Sequence, residues 1–131
     1  MDRASVTRWA ESYRQAWEGA DSEAAAALFT DDATYRNDIY QEPNRGTAGV
    51  AEYWSSVTST QTDVTVRMGE PYLDGNRAVV EFWANMTVEG APLTLGGALL
   101  LRFDDNGSCR SLHEYYAFTD ETAEPPPEWG T

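Results

Sequence analysis

The sequence predicts an α+β fold in which a cone-shaped, curved antiparallel sheet wraps around three N-terminal helices. Apolar residues recur at helical three- and four-residue steps as far as Val57, then alternate in strand fashion from about Asp63. Three glycine-containing turns, Asp74-Gly75, Glu89-Gly90 and Asn106-Gly107, cut the second half into long β-rich runs. The 131 residues are enough for one domain with a real core. That domain is expected over 1–119, followed by a flexible Pro-rich tail over 120–131.

Val6, Trp9, Ala10, Tyr13, Ala16 and Trp17 form one apolar face of a first helix, and Gly19 is expected to end it in the left-handed conformation. Asp21 then caps a second helix through Leu28 and Phe29, with Glu23 in its first turn. An acidic turn at Asp31-Asp32 leads into a strand from about Ala33, which ends in a loop at Glu42-Pro43. Thr47 is expected to cap a third helix bearing Val50, Tyr53, Trp54 and Val57 on one side. The strands are expected over 63–68, 77–88, 93–103 and 108–119, with Gly96-Gly97 as a bend or bulge. Beyond Asp120, Pro125-Pro126-Pro127 cannot continue a sheet, so the tail reads as extended or disordered, with Trp129 as a docking residue or a lone exposed aromatic.

Composition narrows the chemistry. The formal charge of −13 opposes nucleic-acid and anionic-membrane binding, which need clustered cations. All nine basic residues are arginine, so no lysine Schiff base can form. One histidine without a histidine–cysteine cluster argues against a structural zinc site, and although carboxylates alone could hold Mg or Ca, no acidic spacing matches a calcium loop. Neither a cofactor nor a metal is expected. Cys109 has no disulfide partner, and no signal-like or membrane-spanning apolar run is present, so a cytoplasmic protein is expected. Five Trp, seven Tyr and four Phe supply bulky walls for a core or a ligand pocket.

Gly19-Ala20-Asp21, Leu28 to Thr34 (Leu-Phe-Thr-Asp-Asp-Ala-Thr), Glu42 to Thr47 (Glu-Pro-Asn-Arg-Gly-Thr) and Leu101 to Gly107 (Leu-Arg-Phe-Asp-Asp-Asn-Gly) together resemble the nuclear transport factor 2-like superfamily, in its ketosteroid-isomerase and SnoaL-like branch. The resemblance implies a cystatin-like roll with a pocket, and it hosts both enzymes and inert binders. It places the isomerase's oxyanion-hole tyrosine on Tyr13, its basic aspartate on Asn37 and its second, protonated aspartate on Leu99. An amide and an alkyl chain cannot exchange protons at neutral pH, so a true ketosteroid isomerase is not expected. Asp38 follows Asn37 and is a strand-end residue or a base reached through a bulge.

The resemblance also phases the sheet. Val80, Phe82, Ala84, Met86, Leu99, Leu101, Leu112, Glu114 and Tyr116 would face the concave side, and Glu81, Trp83, Asn85, Thr87, Cys109, Ser111, His113 and Tyr115 the convex side. The concave set is apolar except for Glu114, whose charged form would be disfavoured there unless Arg110 pairs with it. The expected catalytic set is Glu114 as acid/base, Tyr13 as donor, and Asn37 and Asp38 as orienting or basic groups. Trp17, Tyr35, Trp54, Phe82, Met86, Leu99, Leu101, Leu112 and Tyr116 are expected to line the ligand site, with the Trp54 indole N–H supporting Tyr13. The expected ligand is a small apolar carbonyl or hydroxyl compound, undergoing isomerisation, cyclisation, dehydration or epoxide opening. The alternative is a ligand-binding module without turnover. Trp83, Leu100 and Tyr115 on the convex face predict a homodimer.

Overall fold

The apolar face predicted for the first helix is the face that packs. The computed structural model describes residues 1–131, and α1 (Arg3–Glu18) buries all of Val6, Trp9, Ala10, Tyr13, Ala16 and Trp17. Asp2 accepts from the Ser5 amide at its start. The left-handed residue after the helix is Ala20 (φ 50°), because Gly19 itself continues in right-handed geometry. α2 (Ser22–Ala26) is short and capped by Asp21, and the chain enters β1 (Phe29–Arg36) earlier than expected. Asp31 and Asp32 therefore lie exposed on β1 and do not form a turn. β2 (Asn44–Arg45) leads into α3 (Gly46–Thr58), whose cap position is Arg45; Thr47 lies inside the helix and does not cap it.

The remaining strands are β3 (Gln61–Met68), β4 (Tyr72–Asp74), β5 (Arg77–Val88), β6 (Ala91–Phe103) and β7 (Cys109–Thr119). Their order in the sheet is β2-β1-β7-β6-β5-β3, with β4 paired to β5. The hairpins from β5 to β7 are antiparallel, but β1 lies parallel to β7, so the sheet is mixed and not wholly antiparallel. That parallel pairing requires a long crossover, which α3 and the meander provide. The three helices pack into the concave face of this curved, open sheet. Trp9 stacks on Tyr13 at 5.3 Å and meets Phe29 and Phe103 edge-on, tying α1 to both β1 and β6.

Period two holds along β5: Ala78, Val80, Phe82, Ala84 and Met86 are buried and alternate with half-buried residues. Leu99, Leu101 and Leu112 share the inner face. Cys109 departs from the expected phase. Arg102 pairs with Ser111 and Phe103 with Cys109, so Arg110 is an extra residue that turns Cys109 inward to full burial. Burial pushes its thiol pKa up to about 12. Gly96 and Gly97 mark close approach without any bulge, since their pairing with Trp83 and Tyr116 is uninterrupted. A Cβ on Gly97 would lie 2.1 Å from the Tyr115 carbonyl oxygen.

The segment after Asp120, expected as a flexible tail, lies as a strap across the convex face. The Trp83 indole and the Asn85 amide both donate to the Ala123 carbonyl at 3.0 Å, and the Thr94 hydroxyl donates to the Glu121 carbonyl at 2.7 Å. Trp129 packs edge-on against Trp83 at 6.1 Å beneath the Arg67 guanidinium, while the Gly130 amide donates to Glu81. Prolines forbid a ladder but not docking, because side chains of the sheet supply the donors that the tail's carbonyls need. Leu100 and Tyr115 remain exposed on the same face.

Two stability predictions follow from this packing. Trp129→Ala removes the ring contact with Trp83 and the cation–π contact with Arg67, and should cost about 1–2 kcal/mol in urea unfolding. Gly97→Ala should cost about 1–3 kcal/mol, because strand backbone must move to admit the methyl. An unchanged urea midpoint for either variant contradicts the packing described.

Candidate active site

A cavity of about 290 Å³ opens where the helices do not fill the mouth of the cone. α1 contributes Tyr13 and Trp17, β1 contributes Tyr35, and α3 contributes Tyr53, Trp54 and Val57. Gln61 follows from β3, Leu93 and Leu95 from β6, and Glu114, Tyr116 and Phe118 from β7. Glu114 stands opposite Leu99 in the β6–β7 ladder, with Tyr116 opposite Gly97. A groove of similar volume (about 280 Å³) on the convex face is bordered by Tyr72, Leu100, Arg77, Arg102 and His113, but its arginines are exposed and it holds no deeply buried ionisable group.

Glu114 is the one ionisable carboxyl of the cavity. Its side chain retains partial exposure, yet the aromatic surroundings dehydrate the carboxyl enough to push its pKa up to about 7 from an ordinary 4.5, against a smaller opposing pull from the Tyr35 hydroxyl. No arginine lies within ion-pair distance, and the pairing with Arg110 considered from the sequence does not form. Arg110 is exposed on the bulge, four residues back along β7.

The Tyr13 and Tyr35 hydroxyls share a hydrogen bond of 2.9 Å, both fully buried. Burial raises the pKa of Tyr13, Tyr35 and Tyr53 above the usual tyrosine value, and the neighbouring Glu114 charge adds to each shift. All three therefore stay protonated near neutral pH, each with a proton it can donate. The Trp17 indole N–H donates to the Gln61 side chain at 2.9 Å. The Trp54 indole does not support Tyr13 as expected: its N–H has no acceptor, and its ring meets Tyr13 and Trp17 edge-on at 5.3 and 5.7 Å.

The structure brings together Glu114, Tyr13, Trp17, Tyr35, Trp54 and Tyr116, and leaves the other expected site residues outside. Asn37 lies on the bend beyond β1, where its side-chain oxygen accepts from the Asn44 amide at 3.1 Å. Asp38 is exposed and accepts from the Tyr40 amide, closing a turn. Both are removed because β1 ends at Arg36. Phe82, Met86, Leu99, Leu101 and Leu112 are buried core beneath the cavity and do not border it. His113 faces the convex side as expected, its pKa lowered by burial and then by Arg36 and Arg102.

Tyr53, Val57, Gln61, Leu93, Leu95 and Phe118 were missed. The signal was available: 53, 57 and 61 are four apart along α3 and its exit. Positions 93 and 95 continue the inner face of Leu99 and Leu101, and 118 that of Glu114 and Tyr116.

The model of the SnoaL-like domain matches residues 10–111, most of the chain. The chain belongs to the SnoaL-like family. A hypothetical protein of ketosteroid isomerase-like fold from Catenulispora acidiphila, solved in complex with trimethylamine, superposes with a TM-score of 0.75 at 22% identity, over 83% of this chain and 85% of that one. SalBIII, an epoxide hydrolase/cyclase-like enzyme in pyran ring formation in the polyether salinomycin, gives 0.77 at 20%, over 88% and 93%. An LEH-like epoxide hydrolase of Mycobacterium tuberculosis gives 0.72 at 17%, over 88% and 84%. At these identities the likenesses establish the fold. No curated protein sequence matches the chain.

A carboxyl whose pKa is raised on folding makes folding take up a proton between its two pKa values. Stability contributed by Glu114 is therefore lost as pH rises from about 4.5 to about 7, then levels off. Urea unfolding of the wild type compared with Glu114→Gln should show the variant gaining over that window, by about 3 kcal/mol. A difference that does not change with pH contradicts a dehydrated carboxyl.

Proposed function

We propose that this SnoaL-like chain is a small-molecule enzyme that moves protons without a cofactor. The observation that carries the reading is one carboxyl without a counter-cation, its pKa raised by burial, beside a buried pair of tyrosine hydroxyls, all bordering one cavity. A general acid or base works best when its pKa lies near the working pH. The Tyr13–Tyr35 pair holds two protons and uses one between its oxygens; the other relieves the Glu114 carboxylate and, as Glu114 takes up a proton, can turn to a carbonyl, epoxide or developing alkoxide.

In an isomerisation, the Glu114 carboxylate takes a proton from the carbon beside a carbonyl while the tyrosine pair donates to the enolate oxygen. The same proton then returns from Glu114 to a different carbon. In an epoxide opening, protonated Glu114 gives its proton to the epoxide oxygen as a hydroxyl or water attacks the ring carbon, and the proton shed by that nucleophile returns to the Glu114 carboxylate. The neighbours named for epoxide hydrolase and cyclase chemistry support including that second reaction in the range. With Asn37 and Leu99 at the isomerase's proton-exchanging positions, steroid-type isomerisation by that enzyme's own groups is outside it.

A second reading has its own support: the loss of those two groups favours a ligand-binding module without turnover. A thermal-shift panel of small epoxides, enones and hydroxy ketones separates the two, since a bound ligand raises the melting temperature. Under the enzyme reading, Glu114→Gln lowers turnover of a hit by at least about 100-fold while its affinity stays within a few-fold, and Tyr13→Phe lowers turnover by a smaller factor. Hits that bind and are never converted favour the module. We also propose that the exposed Leu100 and Tyr115 join two copies through the convex face; sedimentation equilibrium should then give twice the 14.6 kDa chain mass, and a monomer removes this proposal.

A further inference from the structure

The cavity has an unusual balance of groups. Seven aromatic rings border it, among them Trp17, Tyr53, Trp54 and Phe118, and they surround a single carboxyl. The titratable groups facing that carboxyl are Tyr13 from α1, Tyr35 from β1, Tyr53 from α3 and Tyr116 from β7 itself; no arginine or histidine borders the cavity from any element. Glu114 therefore has no counter-charge within the chain. At about 290 Å³ the space is at the small end for ligand sites.

We propose that the ligand carries a positively charged, alkyl-substituted nitrogen, seated among these rings and opposite the Glu114 carboxylate. The inference rests on the cavity being the ligand site and names the chemical class that enters it. Aromatic π-systems attract alkylammonium groups, most strongly where water is excluded. The ligand's charge supplies the missing partner of Glu114. An anion would meet both that carboxylate and the field of a chain with net charge −13, whereas the same field attracts cations to the chain. A bound ammonium also favours the ionised carboxyl, so the ligand itself would convert Glu114 from a half-protonated group into a base. Binding of the cation and release of the Glu114 proton are thus coupled.

The test uses choline and its uncharged carbon isostere, 3,3-dimethyl-1-butanol, titrated into the full chain at about 0.15 M salt. The indole cross-peaks of Trp17 and Trp54 in nitrogen–proton correlation spectra report binding, which reads even millimolar affinity. At pH 8 choline should bind at least about tenfold tighter than the isostere, and this preference should shrink severalfold at pH 5.5. Glu114→Gln should abolish both the preference and its pH dependence, and Tyr53→Leu should weaken choline more than the isostere. Equal binding of the two compounds, or binding of the isostere alone, overturns the charge assignment and leaves the cavity a ligand site. No shift with either compound overturns the proposal as well; if no member of the neutral panel binds either, the reading of the cavity as a ligand site falls with it.

Discussion

An unpaired carboxyl held in an aromatic cavity is the constraint on which this molecule's chemistry depends. Removing a carboxylate from water is costly, and proteins meet that cost with a cation, with hydrogen bonds, or with a proton. Here the cation is absent and the Tyr35 hydroxyl offers only partial relief, so the proton is the remaining means. That places the group near neutrality and makes it an acid and a base within the same pH range. The tyrosines behave in the opposite sense: dehydration and the nearby charge both hold their protons in place. One environment therefore separates a group that exchanges protons from groups that only donate hydrogen bonds.

The cavity exists because its walls are stiff. Trp9, Tyr13, Trp17 and Trp54 meet edge-on or stacked in a continuous chain at centroid separations between 5.3 and 6.3 Å, and Tyr53 extends it to Tyr35. Rings locked by neighbours on several sides cannot collapse into an adjacent void as aliphatic chains can. Below them Phe82, Leu99, Leu101 and Leu112 are buried in the cone, and the cavity at its mouth does not reach them. On the other side the strap and its Trp129 brace β3 and β5 against the curl of the sheet.

Much of this was legible in the chain. The six inner residues of α1, the glycine turns and the alternation of β5 follow from local periods, and the structure reproduces them. The position of Glu114 on the inner face of β7 came from the phase that the family resemblance gives the sheet. Failures occurred where a local rule met a non-local event. The bulge at Arg110 reverses the phase of Cys109, and no run of residues around it announces an extra position. Asn37 was carried over by position in a relative, but here the strand stops one residue earlier and the side chain is spent on Asn44. The strap was hidden because composition reports what a segment cannot do alone, and docking depends on Trp83, Asn85 and Thr94, which lie far away in sequence.

Stability alone would not retain this arrangement. Along the inner face of β7 a leucine at 112 is fully buried with no polar group to satisfy, and a similar residue at 114 would remove the cost of a dehydrated carboxyl while adding apolar burial. A purely structural dimer has no use for the alternative, since its contacts would lie on the opposite face of the sheet. Both remaining roles, catalysis and recognition, need a charge that water does not screen, and both improve as the site becomes drier. What separates them is the tyrosine pair. A binding site needs only the charge and the walls, whereas a proton transfer also needs a donor waiting where negative charge appears on the substrate. Two buried hydroxyls 2.9 Å apart provide that donor beside the carboxyl, with one proton that can turn from Glu114 to the substrate as Glu114 is protonated, and this favours the enzyme.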